Sequence, residues 1–336
     1  MVDKYNRNLG KVLYVFCATI ILSLLVESKA SSEETYKRAV SKNITYQDIN
    51  SSNQTNELNQ TSKKQGVLSV SKGSSQTMSV GPESFTTDIN GNIYICDTAG
   101  GTIQIFSPRG NYKSEISLDK NIVINDIAVD SAGRIYIYDS IENLLHQFTQ
   151  DGKTAGRINI SSAKIGARGP MHIVGDKIYI IDADQRDILI GKITGNVLAA
   201  PSLEELAVLP DIGINAPSGR KYFMEVSGDG AAAVKISGTN NLIRNVKVPV
   251  SGVLSATFLK EDKKGNFYVQ IERILNGELS LEVYKFDFAG QYVSRIDLTD
   301  KDYFFWTVRF MDVDDRENLY QFVPGKDSGK LNIYKK

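Results

Sequence analysis

The chain has 336 residues, with 39 lysines and arginines against 39 aspartates and glutamates, so its formal net charge is zero. A balanced charge supplies no overall field to hold the protein to nucleic acid or to an anionic membrane, and a polyanionic partner is not expected. The length would allow two domains, but all-β repeat arrays routinely exceed about 200 residues as one unit, so one large domain is expected.

The N-terminus carries Lys4, Arg7 and Lys11, then an apolar run from Val12 to Val26, then Ser28-Lys29-Ala30 with its small residues spaced for cleavage. This pattern reads as a secretory signal peptide over residues 1–30, and it places the mature protein outside the cell or in the periplasm or cell envelope. As a helix the apolar run covers about 22 Å, short of the roughly 30 Å hydrocarbon core; a retained membrane anchor over 12–26 is the lesser alternative. Cys17 follows Val15-Phe16 and lacks the small residue that lipid attachment requires. Removal of the leader leaves Cys96 alone, so no internal disulfide is available and the fold must rest on its core.

From Ser31 to Gln65, 19 of 35 residues are Ser, Thr, Asn or Gln and seven are apolar. So little apolar surface does not offset the entropy of ordering the chain, and a disordered polar spacer over 31–65 is expected. Asn43-Ile-Thr, Asn50-Ser-Ser, Asn53-Gln-Thr and Asn59-Gln-Thr match the glycosylation sequon, which matters only in a host that glycosylates exported proteins.

Beyond residue 66 the chain is periodic. Tyr94, Tyr136, Tyr179, Tyr222, Tyr268 and Tyr320 fall 42, 43, 43, 46 and 52 residues apart, each in a short apolar run. Repeats of this length cannot bury an apolar face singly and must stack. Asp88, Asp130 and Asp262 stand six residues before their tyrosines, with Gly91, Gly133 and Gly265 three before; Asp314 keeps the first position with Glu317 in the second, and Gly219 keeps the second alone. Asp-x-x-Gly between apolar runs is hairpin chemistry, so the recurrent aspartate is read as a turn residue in preference to a metal ligand.

A second strand-like run follows each tyrosine, as in Thr102–Phe106 and Leu281–Phe286, and further short runs bring each repeat to four antiparallel strands, the size of a propeller blade. Six repeats make an all-β, six-bladed β-propeller over 66–336. The sixth ends at Tyr334-Lys-Lys336, one strand short, and an open edge would be a template for aggregation. Gly66–Val70 is the expected strand that completes the last blade. Leu203–Val208 is expected to add a short helix.

Phe85-Thr-Thr-Asp-Ile-Asn-Gly-Asn-Ile-Tyr-Ile-Cys-Asp-Thr-Ala-Gly-Gly-Thr-Ile-Gln-Ile-Phe106 resembles the NHL repeat, and Asp130 to Gly152 keeps most of the pattern. The resemblance implies a six-bladed propeller and says little of activity, because that fold hosts binding scaffolds and enzymes alike. Propeller lyases that place histidines around a metal or at the reaction centre need more than His146 and His172. Gluconolactonase-like propellers typically carry a Ser-Pro-Asp-Gly segment where Ser107-Pro-Arg-Gly110 has an arginine, after a different strand.

Candidate site residues come from register. Asp97, Asp139 and Asp182 lie three residues after their tyrosines, and Glu225 shares that register, so one face of the ring can carry an acidic arc suited to a divalent cation such as calcium. The competing reading has each carboxylate capping its own turn. His172, in Gly169-Pro-Met-His-Ile-Val174, lies on an innermost strand and can point into the channel; Trp306, in Tyr303-Phe-Phe-Trp306, can supply an aromatic contact at its mouth. Asp182–Asp187 and Asp312–Asp315 are aspartate-rich but lack EF-hand spacing. Together these features favour an exported, monomeric, non-catalytic scaffold for a protein, peptide or glycan ligand, with no cofactor. A hydrolase or lactonase using channel carboxylates and a divalent metal is the alternative.

Overall fold

A local code builds the repeats in the computed structural model, which describes residues 34–48, 66–71, 79–119, 121–163, 169–208, 210–238, 243–301, 303–305 and 307–336. Asp88 accepts hydrogen bonds from Asn90 N at 2.9 Å, Asn92 N at 2.8 Å and Tyr94 Oη at 3.3 Å, while Gly91 between them sits at φ +77°. Asp130, Asp262 and Asp314 repeat the arrangement with Tyr136 at 3.2 Å, Tyr268 at 3.2 Å and Tyr320 at 2.9 Å. One carboxylate therefore both shapes the turn and fixes the strand after it.

Two strands precede the first blade: β1 (Lys37–Asp48) and β2 (Leu68–Val70). Blade one contains β3 (Ser84–Thr87), β4 (Ile93–Asp97), β5 (Thr102–Phe106) and β6 (Tyr112–Ser117); blade two contains β7 (Ile124–Val129), β8 (Ile135–Asp139), β9 (Leu144–Phe148) and β10 (Thr154–Asn159). Blade three is β11 (Met171–Val174), β12 (Lys177–Ile181), β13 (Asp187–Thr194) and β14 (Val197–Ala199). The short helix α1 (Leu203–Ala207) follows, closed at its start by a capping box between Ser202 and Glu205. Blade four is β15 (Ile214–Asn215), β16 (Lys221–Val226), β17 (Ala232–Ser237) and β18 (Ile243–Lys247); blade five is β19 (Val253–Glu261), β20 (Phe267–Leu275), β21 (Glu278–Phe286) and β22 (Tyr292–Leu298). Blade six supplies β23 (Met311–Val313), β24 (Leu319–Pro324) and β25 (Ser328–Lys335). Within each blade consecutive strands pair antiparallel, giving the six-bladed propeller expected from the repeat.

The last blade is completed from the N-terminal side, but by a different strand from the one expected. β1 pairs antiparallel with β25 from Lys37↔Lys335 to Thr45↔Ser328, and β2 adds a fifth, parallel strand outside it. Lys37–Asp48 therefore belongs to the propeller and not to a spacer. Its Val40, Ile44 and Tyr46 recur at even spacing and pack into the seam between blades six and one, which suffices for a strand whose other face is wet. Residues 36–336 form one compact unit; of the N-terminal unit, residues 34 and 35 are described and carry no regular structure. The expected leader and the sequons at Asn50, Asn53 and Asn59 lie outside the described residues, whereas Asn43 lies exposed on β1.

The core is divided among the seams between neighbouring blades. Apolar clusters fill the seams six–one, one–two, two–three, four–five and five–six. Among the described residues the seam between blades three and four is instead bridged by polar groups: Gln185 Nε2 donates to Met224 O at 2.9 Å, and Gln185 Oε1 accepts from Met224 N at 2.8 Å. Cys96 is fully buried in β4, where burial first and the nearby Asp126 second push its thiol well above the ordinary range.

Candidate functional site

The innermost strands β3, β7, β11, β15, β19 and β23 surround a cavity of about 360 Å³. Each of these strands runs toward the turn that joins it to the second strand of its blade. Blades one and two line the cavity only with residues near that turn, namely Thr86–Thr87 and Ala128–Val129, whereas blades three, five and six contribute Pro170–Val174, Thr257–Glu261 with Gln270 and Glu272, and Val308–Asp312 along its depth. The cavity is therefore a well that opens on the turn face and is floored toward the opposite face.

Arg309 makes the floor. It leaves the segment before β23 and crosses the axis to Asp126 of β7, with Nη2 at 2.9 Å from Asp126 Oδ2, and the same nitrogen donates to Met171 O of β11. Asp126 is completely buried and also accepts from Ser84 Oγ and Met171 N, so blades one, two, three and six meet at one carboxylate. Val308 N donates to Glu83 O at 2.7 Å and holds the crossing segment against blade one. A buried ion pair whose carboxylate oxygens both accept hydrogen bonds in this way offsets much of its desolvation cost.

His172 forms part of the wall. Asp187, at the start of β13 and 1 % exposed, accepts from Asn215 N at 2.5 Å and Asn215 Nδ2 at 2.7 Å through Oδ2, and its Oδ1 lies 2.8 Å from His172 Nε2. A carboxylate here accepts and does not donate, so Nε2 carries the hydrogen of this contact. This polar network occupies the seam between blades three and four, the one without its own apolar cluster among the described residues. Asp312 accepts from Thr87 N and Thr87 Oγ1, both at 2.8 Å, and lies 3.9 Å from Lys260 Nζ. Gln270 Nε2 donates to Glu272 Oε1 at 3.1 Å.

Of the residues expected from sequence, His172 lies on the well. Asp97 is buried and accepts from Ser69 N of β2 at 2.9 Å and Gly100 N at 3.2 Å. Asp139 accepts from the amides of Val123, Ile141 and Glu142 at 3.2, 3.0 and 3.1 Å, and Asp182 from those of Asp184 and Arg186 at 2.9 and 2.8 Å. Glu225 pairs with Lys235 Nζ at 2.5 Å. Each is engaged with its own neighbourhood at the face away from the well mouth, and among the described residues no three His, Cys, Asp or Glu side chains converge to hold a metal ion. Trp306 lies outside the described residues; its neighbour Phe305 is buried edge-on against Tyr46 of β1, with ring centroids 5.9 Å apart. Sequence reading missed Arg309, Asp126 and Asp187. The first two had a signal, since each is a lone charge inside an otherwise apolar innermost-strand run, Thr307–Met311 and Asn125–Val129.

Fold and site together define a six-bladed β-propeller with an axial well closed at one end. No model of a known protein family matches the chain, and no curated protein matches it. Similar solved structures include a member of the DUF4221 family from Bacteroides vulgatus, 12 % identical, covering 89 % of this chain and 99 % of the other at a TM-score of 0.45. A gluconolactonase from Xanthomonas campestris is 13 % identical over 76 % of this chain and 87 % of its own, at a TM-score of 0.45. A streptogramin B lyase is 14 % identical over 75 % and 93 %, at a TM-score of 0.42.

Proposed function

We propose that this protein is an exported, NHL-like β-propeller that binds a protein, peptide or glycan ligand without transforming it, and takes part of that ligand into the axial well. The reading is carried by how the charged groups in and behind the well wall are used: Asp126 by Arg309, Asp187 by Asn215 and His172, Asp312 by Thr87. Side chains held in this way form a preorganised recognition surface, which lowers the ordering cost of binding. Among the described residues no serine or cysteine lines the well to act as a nucleophile beside His172. The leader supports export, and the volume falls in the ~300–1,000 Å³ range of small-ligand pockets.

The test uses peptide and glycan arrays probed with the exported protein and with Val174→Trp, which fills the well from its mouth. Binding that the variant loses while its melting temperature holds is the expected result; equal binding by both proteins would remove the well from the proposal. The recovered protein is expected to begin at Ser31. A hydrolase or lactonase is the second reading, favoured by the His172–Asp187 pair alone. A divalent ion retained in stoichiometric amount after dialysis, with a fall in melting temperature on chelation, would decide for it.

A further inference from the structure

Three carboxylates line the well, and two of them have a cation. Glu261 pairs with Arg220, outside the lining, at 2.8 Å, and Asp312 has Lys260 Nζ at 3.9 Å. Arg309 does not serve the third, because its ion pair is with Asp126. Glu272 is therefore left, among the described residues, without a cation. Its carboxylate has one partner, the neutral amide of Gln270, whose Nε2 donates to Oε1 at 3.1 Å. A half-buried carboxylate held in this way brings an uncompensated negative charge to a partly desolvated cavity.

Gln270 is a second, independent sign of what the well receives. A carboxylate only accepts, so the amide nitrogen of Gln270 must face Glu272, and the amide oxygen is turned away from it. Gln270 is 5 % exposed and lines the well, and its Oε1 accepts from none of the described residues; a buried acceptor is thus offered to the cavity without a donor. The two residues stand two apart on β20 and share one face of the strand. What satisfies both is a group with several N–H donors and a positive charge. Val174, Phe258, Leu259, Phe310 and Met311 make much of the remaining wall apolar, which suits the aliphatic stem that carries such a group.

Resting on the binding role above, we propose that the well takes an ammonium group on an aliphatic stem, its charge paired with Glu272 and one of its N–H groups donated to Gln270 Oε1. A lysine side chain of a peptide and a free alkylamine share this chemistry. A carboxylate or phosphate ligand adds negative charge beside Glu272 and Asp312, which disfavours it. A neutral sugar has donors for both acceptors but no charge for Glu272, and little apolar surface to set against Phe258 and Leu259. A divalent cation needs more oxygen ligands than Glu272 supplies, and among the described residues no three His, Cys, Asp or Glu side chains converge.

The experiment measures binding to the exported protein by calorimetry, with tetrapeptides acetylated at the N-terminus and amidated at the C-terminus, so that one lysine carries the only charge. Peptides with Nε-acetyllysine or norleucine in its place lack that charge, and hexylamine is a separate probe. The lysine peptide is expected to bind, and either replacement to weaken it about tenfold or more, as loss of one partner from a desolvated ion pair does. Glu272→Gln keeps the size of the side chain and is expected to weaken the lysine peptide to a similar extent, with the norleucine peptide and the melting temperature unchanged. Tighter binding of the lysine peptide than of hexylamine supports the inference and assigns a peptide side chain as the ligand; the reverse supports it and assigns a free amine. Equal binding of the lysine and norleucine peptides would overturn the inference and leave the binding role standing, as would binding confined to glycans. A preference for lysine that survives Glu272→Gln would overturn it too. No binding of any peptide, amine or glycan would overturn the inference and the binding role together.

Discussion

Tyr136 and Tyr179 occupy the same place in successive repeats but do different work. Tyr136 Oη donates to Asp130 at 3.2 Å, and burial first, then Asp130, raise its hydroxyl well above the ordinary range. Tyr179 has no aspartate six residues before it and forms no such bond; burial with Asp187 and Asp176 nearby pushes it up to about 12. Tyr136→Phe is expected to cost about 1 kcal/mol, the usual net value of such a bond, and Tyr179→Phe close to nothing, as measured by urea unfolding. Glu317 is a second informative residue. It stands where other repeats have glycine, at φ +69°, and bonds Lys285 Nζ at 2.7 Å as well as Lys264 Nζ. Lys285 is 1 % exposed, so the strained backbone at 317 is kept for the charge it places there. Glu317→Gly relieves the strain yet removes the carboxylate that pairs a buried ammonium, and a net loss of about 3 kcal/mol is expected. Burial acts to raise the Glu317 carboxyl, but the hydrogen bonds from Lys264 and Lys285 outweigh it and hold it below its ordinary 4.5. With the folded value depressed, this stabilisation is complete above pH 4.5 and is lost as the pH falls through the folded value; the variant should lose that acid-side slope.

At the scale of single elements, β1 distinguishes the observed closure from the expected one. Ile44 is 2 % exposed and packs with Leu68, Phe85 and Leu331. Ile44→Ala should cost ~2–5 kcal/mol if β1 holds the ring and nothing measurable if residues 31–65 are a spacer. A chain beginning at residue 49 leaves the outer edge of β25 unpaired and is expected to aggregate on heating, while one beginning at residue 34 should melt like the full chain. The blades were legible because Asp-x-x-Gly and the tyrosine after it act within seven residues. β1 was not, because its apolar residues stand singly among polar ones and its partners lie far along the chain; Ser41 Oγ bonds Asn332 across 291 positions. Composition averaged over such a segment conceals an alternating strand.

For the molecule as a whole, the sequence placed a candidate site on one face, and the structure puts the well mouth on the other. Register located Asp97, Asp139 and Asp182 at equivalent positions but could not show that their oxygens were already spent on backbone amides. Nor could it show Arg309 reaching past the axis, since that contact joins residues 183 positions apart, one on β7 and the other just before β23. Repeats announce a fold through what is the same in each copy; the well owes its chemistry to what differs between them.

The pairing of β1 with β25 also constrains how the protein comes into being. β1 is made before every other strand of the propeller and β25 after them, so blade six cannot assemble until the other five blades have been made. The same order makes the ring sensitive to premature termination: a message cut short before Ser328 yields a product in which β1 has nothing to close against.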